Sequence, residues 1–163
     1  MRFEVTQRYR SPVAEVVAAY ADPGLYPALV GLPKLGDIEV LDHREEGDTA
    51  TLRVRFRFTG HLPSAVTAVV DPERLTWVQE STHNLTDGTT TFRLLPDHYP
   101  DRLRASGTCR VDGEGDGARR VVAGELEVRG VPLVGGRVER AIVGGLEEYL
   151  AAEAPAVDAY LNS

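Results

Sequence analysis

The chain has 163 residues, 42% of them hydrophobic, which is the length of one domain with enough apolar side chain for a single core. It carries 18 basic against 25 acidic residues, a formal net charge of -7. That balance disfavours nucleic acid or an anionic membrane as the main partner, because both are bound through Lys and Arg.

The first ten residues, MRFEVTQRYR, lack an uninterrupted apolar run, so neither a secretory signal nor a membrane span is expected there. Instead Phe3, Val5, Gln7 and Tyr9 alternate with Glu4, Thr6, Arg8 and Arg10, the period of a strand with one buried face. Ser11-Pro12 places a capping hydroxyl before a proline at the first helical position and predicts a short helix over VAEVVAAYA. Asp22-Pro23 repeats the signal and predicts a second short helix holding Leu25, Tyr26, Leu29 and Val30, ended by Gly31.

Strand patterns return at Asp37. Ile38 and Val40 head one, Glu45-Glu46-Gly47-Asp48 turns it, and Ala50, Leu52, Val54, Phe56 and Phe58 alternate with Thr51, Arg53, Arg55 and Arg57. The arginines mark a solvent face, and without exposed aromatics between them they do not make a nucleic-acid surface. In LPSAVTAVVDPERL, residues 62 to 75, Val66, Val69 and Val70 suit a helical face or a strand, and a short helix or irregular segment is expected. LTWVQESTHNL and TTFRLL read as strands around a turn at Thr86 to Thr89. Leu103, Ala105, Gly107, Cys109 and Val111 alternate in the next strand. GEGDG at 113 to 117 is a strand-to-strand turn, not a dinucleotide loop, because no helix follows it. Val122, Gly124, Leu126 and Val128 alternate in the last strand.

After Gly135 and Gly136, apolar and small residues recur at helical steps: Val138, Ala141, Ile142, Gly145, Tyr149, Ala152, Ala156 and Tyr160. Such a helix would be roughly 35 to 40 Å long. Pro155 predicts a kink or break between Glu153 and Ala156. Gly144 and Gly145 adjoin in mid-helix, where each costs up to about 1 kcal/mol relative to Ala, so the face either admits another backbone or leaves room. The order is therefore one strand, two short helices, six strands and one long helix, an antiparallel α+β arrangement whose terminal helix covers the concave face of a curved sheet. Small residues facing each other, Gly107 and Gly124 on the sheet and Gly145 and Ala152 on the helix, are expected to leave a cavity.

This pattern resembles the helix-grip fold of the START and polyketide-cyclase-like (SRPBCC) superfamily over the whole chain. Gly130-Val131-Pro132-Leu133-Val134-Gly135-Gly136-Arg137-Val138-Glu139 is similar to the junction in a bacterial branch classed as a domain of unknown function. Glu80-Ser81-Thr82-His83-Asn84-Leu85 resembles eukaryotic lipid-transfer relatives. The resemblance implies a curved seven-stranded antiparallel sheet wrapped around a long C-terminal helix, with two short helices after strand one. It also implies a ligand class, lipids, sterols, hormones or polyketides, but no reaction.

The expected partner is thus a small hydrophobic molecule, with no nucleic acid, no integral membrane association and no cofactor. Leu25, Tyr26, Leu29, Phe56, Phe58, Trp77, Phe92, Ile142, Gly145 and Tyr149 are candidate wall, and Gln7, Tyr9 and Gln79 candidate orienting groups, although the same residues suit an ordinary core. The alternative is a cyclase or dehydratase-like enzyme in the same pocket, for which Gln7, Tyr9, Gln79, His83 and Tyr149 are the acid–base candidates; it requires two of them to reach one cavity point. Glu153, at the edge of the helical stripe, is expected to be solvated. A third reading, a groove for a partner's segment, needs an exposed apolar patch around Leu25 to Leu35. His43, His61, His83 and His98 lack metal-site spacing. The single Cys109 has no disulfide partner, is expected inward as a small core residue, and fits a cytoplasmic location.

Overall fold

The computed structural model describes residues 1–68 and 70–163; the expectation for Val69 lies outside the described residues. Seven strands, β1 (Arg2–Tyr9), β2 (Leu35–Glu46), β3 (Thr49–Phe58), β4 (Thr76–Asn84), β5 (Thr89–Pro96), β6 (Leu103–Glu114) and β7 (Gly117–Val128), form one antiparallel sheet in the order β1-β7-β6-β5-β4-β3-β2. The alternating residues of the sequence sit inward as expected: Ala50, Leu52, Val54 and Phe56 of β3 are buried, and so are Ala105, Cys109 and Val111 of β6. The outer face carries the charges. Arg55 makes a two-pronged bond to Asp97 at 2.9 and 3.0 Å, and Arg53 and Arg93 both reach Glu80.

β1 and β2 are the two edges of the sheet, so the chain between them must cross its width. It does so as α1 (Val13–Ala21) and α2 (Leu25–Ala28), which pack on the sheet and on the terminal helix. The Ser11 hydroxyl does not cap α1. Pro12 occupies the capping position, and Ser11 Oγ donates to Asp158 of the terminal helix at 2.7 Å, joined there by the backbone amides of Arg10 and Ser11. A tertiary partner with full charge outcompetes a local backbone amide. Leu29 follows α2 as its buried C-cap, whereas Val30 is exposed. Between Leu25 and Leu35, Val30 is the large apolar side chain left exposed, while Leu25, Tyr26 and Leu29 are buried.

The ambiguous segment after β3 contains one helical turn, α3 (Ser64–Thr67), and a 3-10 turn at Pro72–Arg74 capped by Asp71, whose carboxylate accepts from the Glu73 amide. Its Leu62, Val66 and Val70 form a small cluster with Val131 and Val138.

The terminal helix α4 spans Gly135–Leu161 without interruption, about 40 Å at 1.5 Å per residue. The break expected at Pro155 is absent. Pro155 is exposed, and so is Ala151, whose carbonyl loses its helical partner, so the unpaired group stays open to solvent. The buried stripe also turns relative to the expected one. In the second half of α4, Glu153, Ala154 and Val157 are buried, and Ala152, Ala156 and Tyr160 lie at its edge. A 3.6-residue period drifts around a long helix, and α1 and α2 cover the side that results.

Candidate functional site

Between α4 and the concave face of the sheet lies a cavity of about 110 Å³. One water needs about 10–15 Å³ on this measure, and an engineered apolar cavity of about 150 Å³ takes benzene. The room is therefore that of roughly one aromatic ring.

The wall is mostly apolar. Phe56 and Trp77, paired across β3 and β4, stack with ring centroids 6.0 Å apart and planes 22° apart. The glycines do not act as empty space, as expected from sequence. Gly107 and Gly124 face each other across β6 and β7, and a Cβ on either would collide with backbone oxygen and stand 2.7 Å from an aromatic ring, Phe92 or Phe3. They allow the sheet to bend while two phenyl rings lie over the bend. On the helix, Gly145 admits the edge of Phe58, 2.9 Å from where its Cβ would stand. Gly144 meets nothing within 4 Å.

Of the residues expected from sequence, Tyr26, Phe56, Phe58, Trp77, Gln79, Phe92, Ile142, Gly145 and Tyr149 all line the cavity. Leu25 and Leu29 do not. They stand one turn apart, fully buried in the core with Val16, Leu52 and Val54, because α2 is a single turn and only its Tyr26 faces the opening. Gln7 and Tyr9 point inward but stop behind a second layer of side chains, and His83 is sealed off. His83 Nε2 bonds Ser81 Oγ at 2.9 Å and Nδ1 bonds Thr90 Oγ1 at 3.0 Å, so neither nitrogen is free. Burial first, and the Arg120 cation second, push its pKa down to about 4.

The layer in front of Gln7 and Tyr9 is the part that sequence reasoning missed. Arg120 and Glu153 are both buried, and their closest charged atoms are 3.5 Å apart. Arg120 Nη1 donates to Gln7 Oε1 at 2.7 Å, Nη2 to Cys109 Sγ at 3.2 Å, and the guanidinium lies 3.8 Å over the Tyr20 ring. Glu153 Oε1 accepts from Tyr20 OH at 2.7 Å and from Gln7 Nε2 at 3.1 Å; Tyr20 OH meets Tyr9 OH at 2.6 Å. Gln7 Nε2 also donates to the Leu150 carbonyl. Tyr20, Cys109, Arg120 and Glu153 all reach the cavity wall.

Glu153 therefore is not solvated. Its spacing was the available signal, since it stands one helical turn after Tyr149. Arg120 was legible too: the inward parity of Val122, Gly124 and Leu126, carried two residues back along β7, falls on it. Desolvation and Glu153 charge push the Tyr20, Tyr26 and Tyr149 hydroxyls upward, and desolvation does the same to Tyr9 against the pull of Arg120. The Cys109 thiol is also pushed up by burial, which makes it a poor nucleophile. Burial alone would lower the Arg120 pKa, but Cys109, Tyr20, Tyr9 and Glu153 more than offset it and the net direction is upward.

One polar atom on the wall has no partner. The Tyr149 hydroxyl is buried and makes no hydrogen bond, although it feels the charge of Glu153. Buried hydroxyls are ordinarily satisfied, so this one has a place for an acceptor that the protein does not fill. Among the described residues, no group of His, Cys, Asp and Glu could hold a metal ion, and no helix is long and apolar enough to cross a membrane.

The fold is shared with solved proteins at low sequence identity. The protein TTHA0849 from Thermus thermophilus is 17% identical with a TM-score of 0.70, over 99% of this chain and 97% of its own. The Zhui aromatase/cyclase from Streptomyces sp. R1128 is 16% identical with a TM-score of 0.69, over 99% and 93%. The di-domain aromatase/cyclase BexL, of the BE-7585A biosynthetic pathway, is 19% identical with a TM-score of 0.67, over 100% of this chain and 48% of BexL, so the chain matches one half of it. No curated protein matches the sequence. These likenesses establish the helix-grip fold. Residues 4–161 match the family described as protein of unknown function (DUF2505), and the chain belongs to that family.

Proposed function

We propose that the protein binds a small hydrophobic ligand, such as a lipid or polyketide, in the cavity between the sheet and α4, as a carrier or sensor. The observation that carries this reading is an aromatic-lined cavity with one unpaired hydroxyl, that of Tyr149, on its wall. Native interiors are ordinarily packed to crystal-like density, so unfilled apolar room beside an unsatisfied donor marks a place for a guest. Tyr26, Phe56, Phe58, Trp77, Phe92, Ile142 and Gly145 form its wall, with Gln79 and Tyr149 orienting it; Leu25, Leu29, Gln7 and Tyr9 act from behind. A guest longer than one ring requires Phe58 to swing off Gly145. The test is extraction of the purified protein followed by mass spectrometry, with thermal shifts across fatty acids, sterols and aromatic polyketides. A co-purified apolar molecule, or a shift that grows with its concentration, is expected. Empty extracts together with no shift from any class overturn the reading.

A second reading, cyclase or dehydratase-like chemistry, draws on the other oxygen of the same carboxylate. Glu153 Oε2 takes none of the bonds that Tyr20, Gln7 and Arg120 make to Oε1, and it belongs to a residue on the cavity wall beside Tyr149. A base needs a free lone pair within reach of the substrate. Turnover of a linear poly-β-ketone that Glu153→Gln abolishes, with binding retained, is the expected outcome; turnover unaffected by that change removes the reading.

A further inference from the structure

The wall of the cavity carries three charged residues, and the two buried ones leave no net charge for a ligand. Arg120 and Glu153 face each other and cancel, with Arg120 also holding Gln7 and Cys109. Lys34 turns its ammonium to Glu148 on the outside of α4, 3.5 Å away. An ionised ligand would lose its hydration on entry and meet no uncompensated partner, which is the costly case for a buried charge.

No acceptor on the wall is in hydrogen-bond geometry with the Tyr149 hydroxyl. The residue is 5% exposed, its hydroxyl has no partner, and it lines the cavity. Glu153 stands close enough to push the phenol upward, but its carboxylate and the Tyr149 hydroxyl do not meet in hydrogen-bond geometry. Burial and the nearby carboxylate keep the phenol protonated, so it donates rather than accepts.

We propose that the ligand is an uncharged molecule with an apolar body, whose enclosed portion is about one aromatic ring and whose carbonyl oxygen accepts the hydrogen bond of the Tyr149 hydroxyl. This rests on the cavity-binding reading and adds a polarity and a charge to it. The carbonyl sits at the Tyr149 side of the chamber, and Phe56 and Trp77 hold the ring. A hydrocarbon of the same shape leaves the donor unsatisfied, and a carboxylate places a like charge near Glu153.

Three probes of nearly equal size separate the alternatives: acetophenone, α-methylstyrene, in which a CH2 replaces the carbonyl oxygen, and benzoate at pH 7. Dissociation constants are measured by NMR titration for the wild type and for Tyr149→Phe. The ratio of the α-methylstyrene constant to the acetophenone constant is expected to fall about fivefold to tenfold in the variant, since solvent partitioning cancels between the two proteins. Benzoate is expected to bind at least tenfold more weakly than acetophenone. The acetophenone carbonyl stretch should move to lower wavenumber on binding to the wild type and not on binding to Tyr149→Phe. An unchanged ratio with an unshifted band overturns the inference while leaving cavity binding standing, and so does benzoate binding most tightly. Failure of all three probes overturns it as well, and the cavity reading falls with it if native extracts are also empty.

Discussion

Arginine meets carboxylate on both sides of this sheet, under opposite conditions. On the outer face Arg55 and Asp97 form a two-pronged pair in water, and on the inner face Arg120 and Glu153 form a longer contact in a nearly dry layer. The outer pair has the better geometry and the smaller effect, because solvent screens it and the side chains lose rotamer freedom to make it. The inner pair must offset the removal of two charges from water, and an apolar pair of the same shape would serve packing as well or better. A surface arrangement is explained by solubility and sheet pairing. The buried one raises the question of what it is kept for, and its position at the wall of a cavity is the answer that the proposed function gives.

The largest effect separating the two sides should come from Arg120→Met. It leaves Glu153 buried without its cation, and urea unfolding is expected to show a loss of about 3–5 kcal/mol. Adding Glu153→Leu should recover part of that loss, because the orphaned charge goes too; a double variant less stable than Arg120→Met would show that the pair stabilises the fold in its own right.

Next in size is a pH effect in a range where the outer Asp97, held low by Arg55, stays ionised. His83 titrates near 4 in the fold, below its ordinary 6.5, so between those values the unfolded chain binds more protons. Stability should be unaffected by His83 above pH 6.5 and fall as the pH drops toward 4, by on the order of 3 kcal/mol in all. The difference between wild type and His83→Asn between pH 6.5 and 5 isolates this from the carboxylates that titrate lower. Parallel stability curves for the two proteins in that window would contradict it.

The extent to which this was readable from sequence follows the same inside–outside division. Period-two alternation located β1, β3, β6 and β7, turn signals placed β2, β4 and β5, and the arginines of β3 were rightly assigned to solvent, because those features depend on residues close in the chain. The aromatic wall followed from the same parity. What failed was the polar layer. Glu153 looks solvated in a one-dimensional reading, since a charged residue at the edge of a helical stripe ordinarily is, and only the packing of α1 over that edge buries it. Gln7 and Tyr9 were placed on the correct face but at the wrong depth, because nothing local tells that Arg120, more than a hundred residues away, fills the space in front of them. Ser11 was read as a cap for the same reason: its actual partner, Asp158, belongs to the far end of the chain. Pro155 does not end the helix, because losing one hydrogen bond on an exposed face is outweighed by the packing of the residues on either side of it.

A smaller effect, opposite in sign, comes from Tyr149→Phe. It removes a buried hydroxyl that has no partner, so the ligand-free protein is expected to gain up to about 1 kcal/mol rather than lose, a rise in midpoint of a few degrees. A clear loss would mean the hydroxyl is satisfied and the cavity has no vacant donor.

The smallest effect belongs to Arg55→Ala. Its pair with Asp97 is short and aligned, and Asp97 also accepts from Thr76, yet the Arg55 side chain is 39% exposed and the carboxylate keeps access to water and to the Thr76 hydroxyl when the cation is gone. Only the interaction in high dielectric is lost, so the expected change is below about 1 kcal/mol and shrinks further in salt. Measured beside Arg120→Met at two salt concentrations, it puts the comparison to its sharpest test. If Arg55→Ala costs as much as Arg120→Met, or if the Arg120 variant loses its defect in salt as a screened surface pair would, then burial is not what distinguishes the two faces, and the polar layer at the cavity wall is a surface network that happens to lie inside.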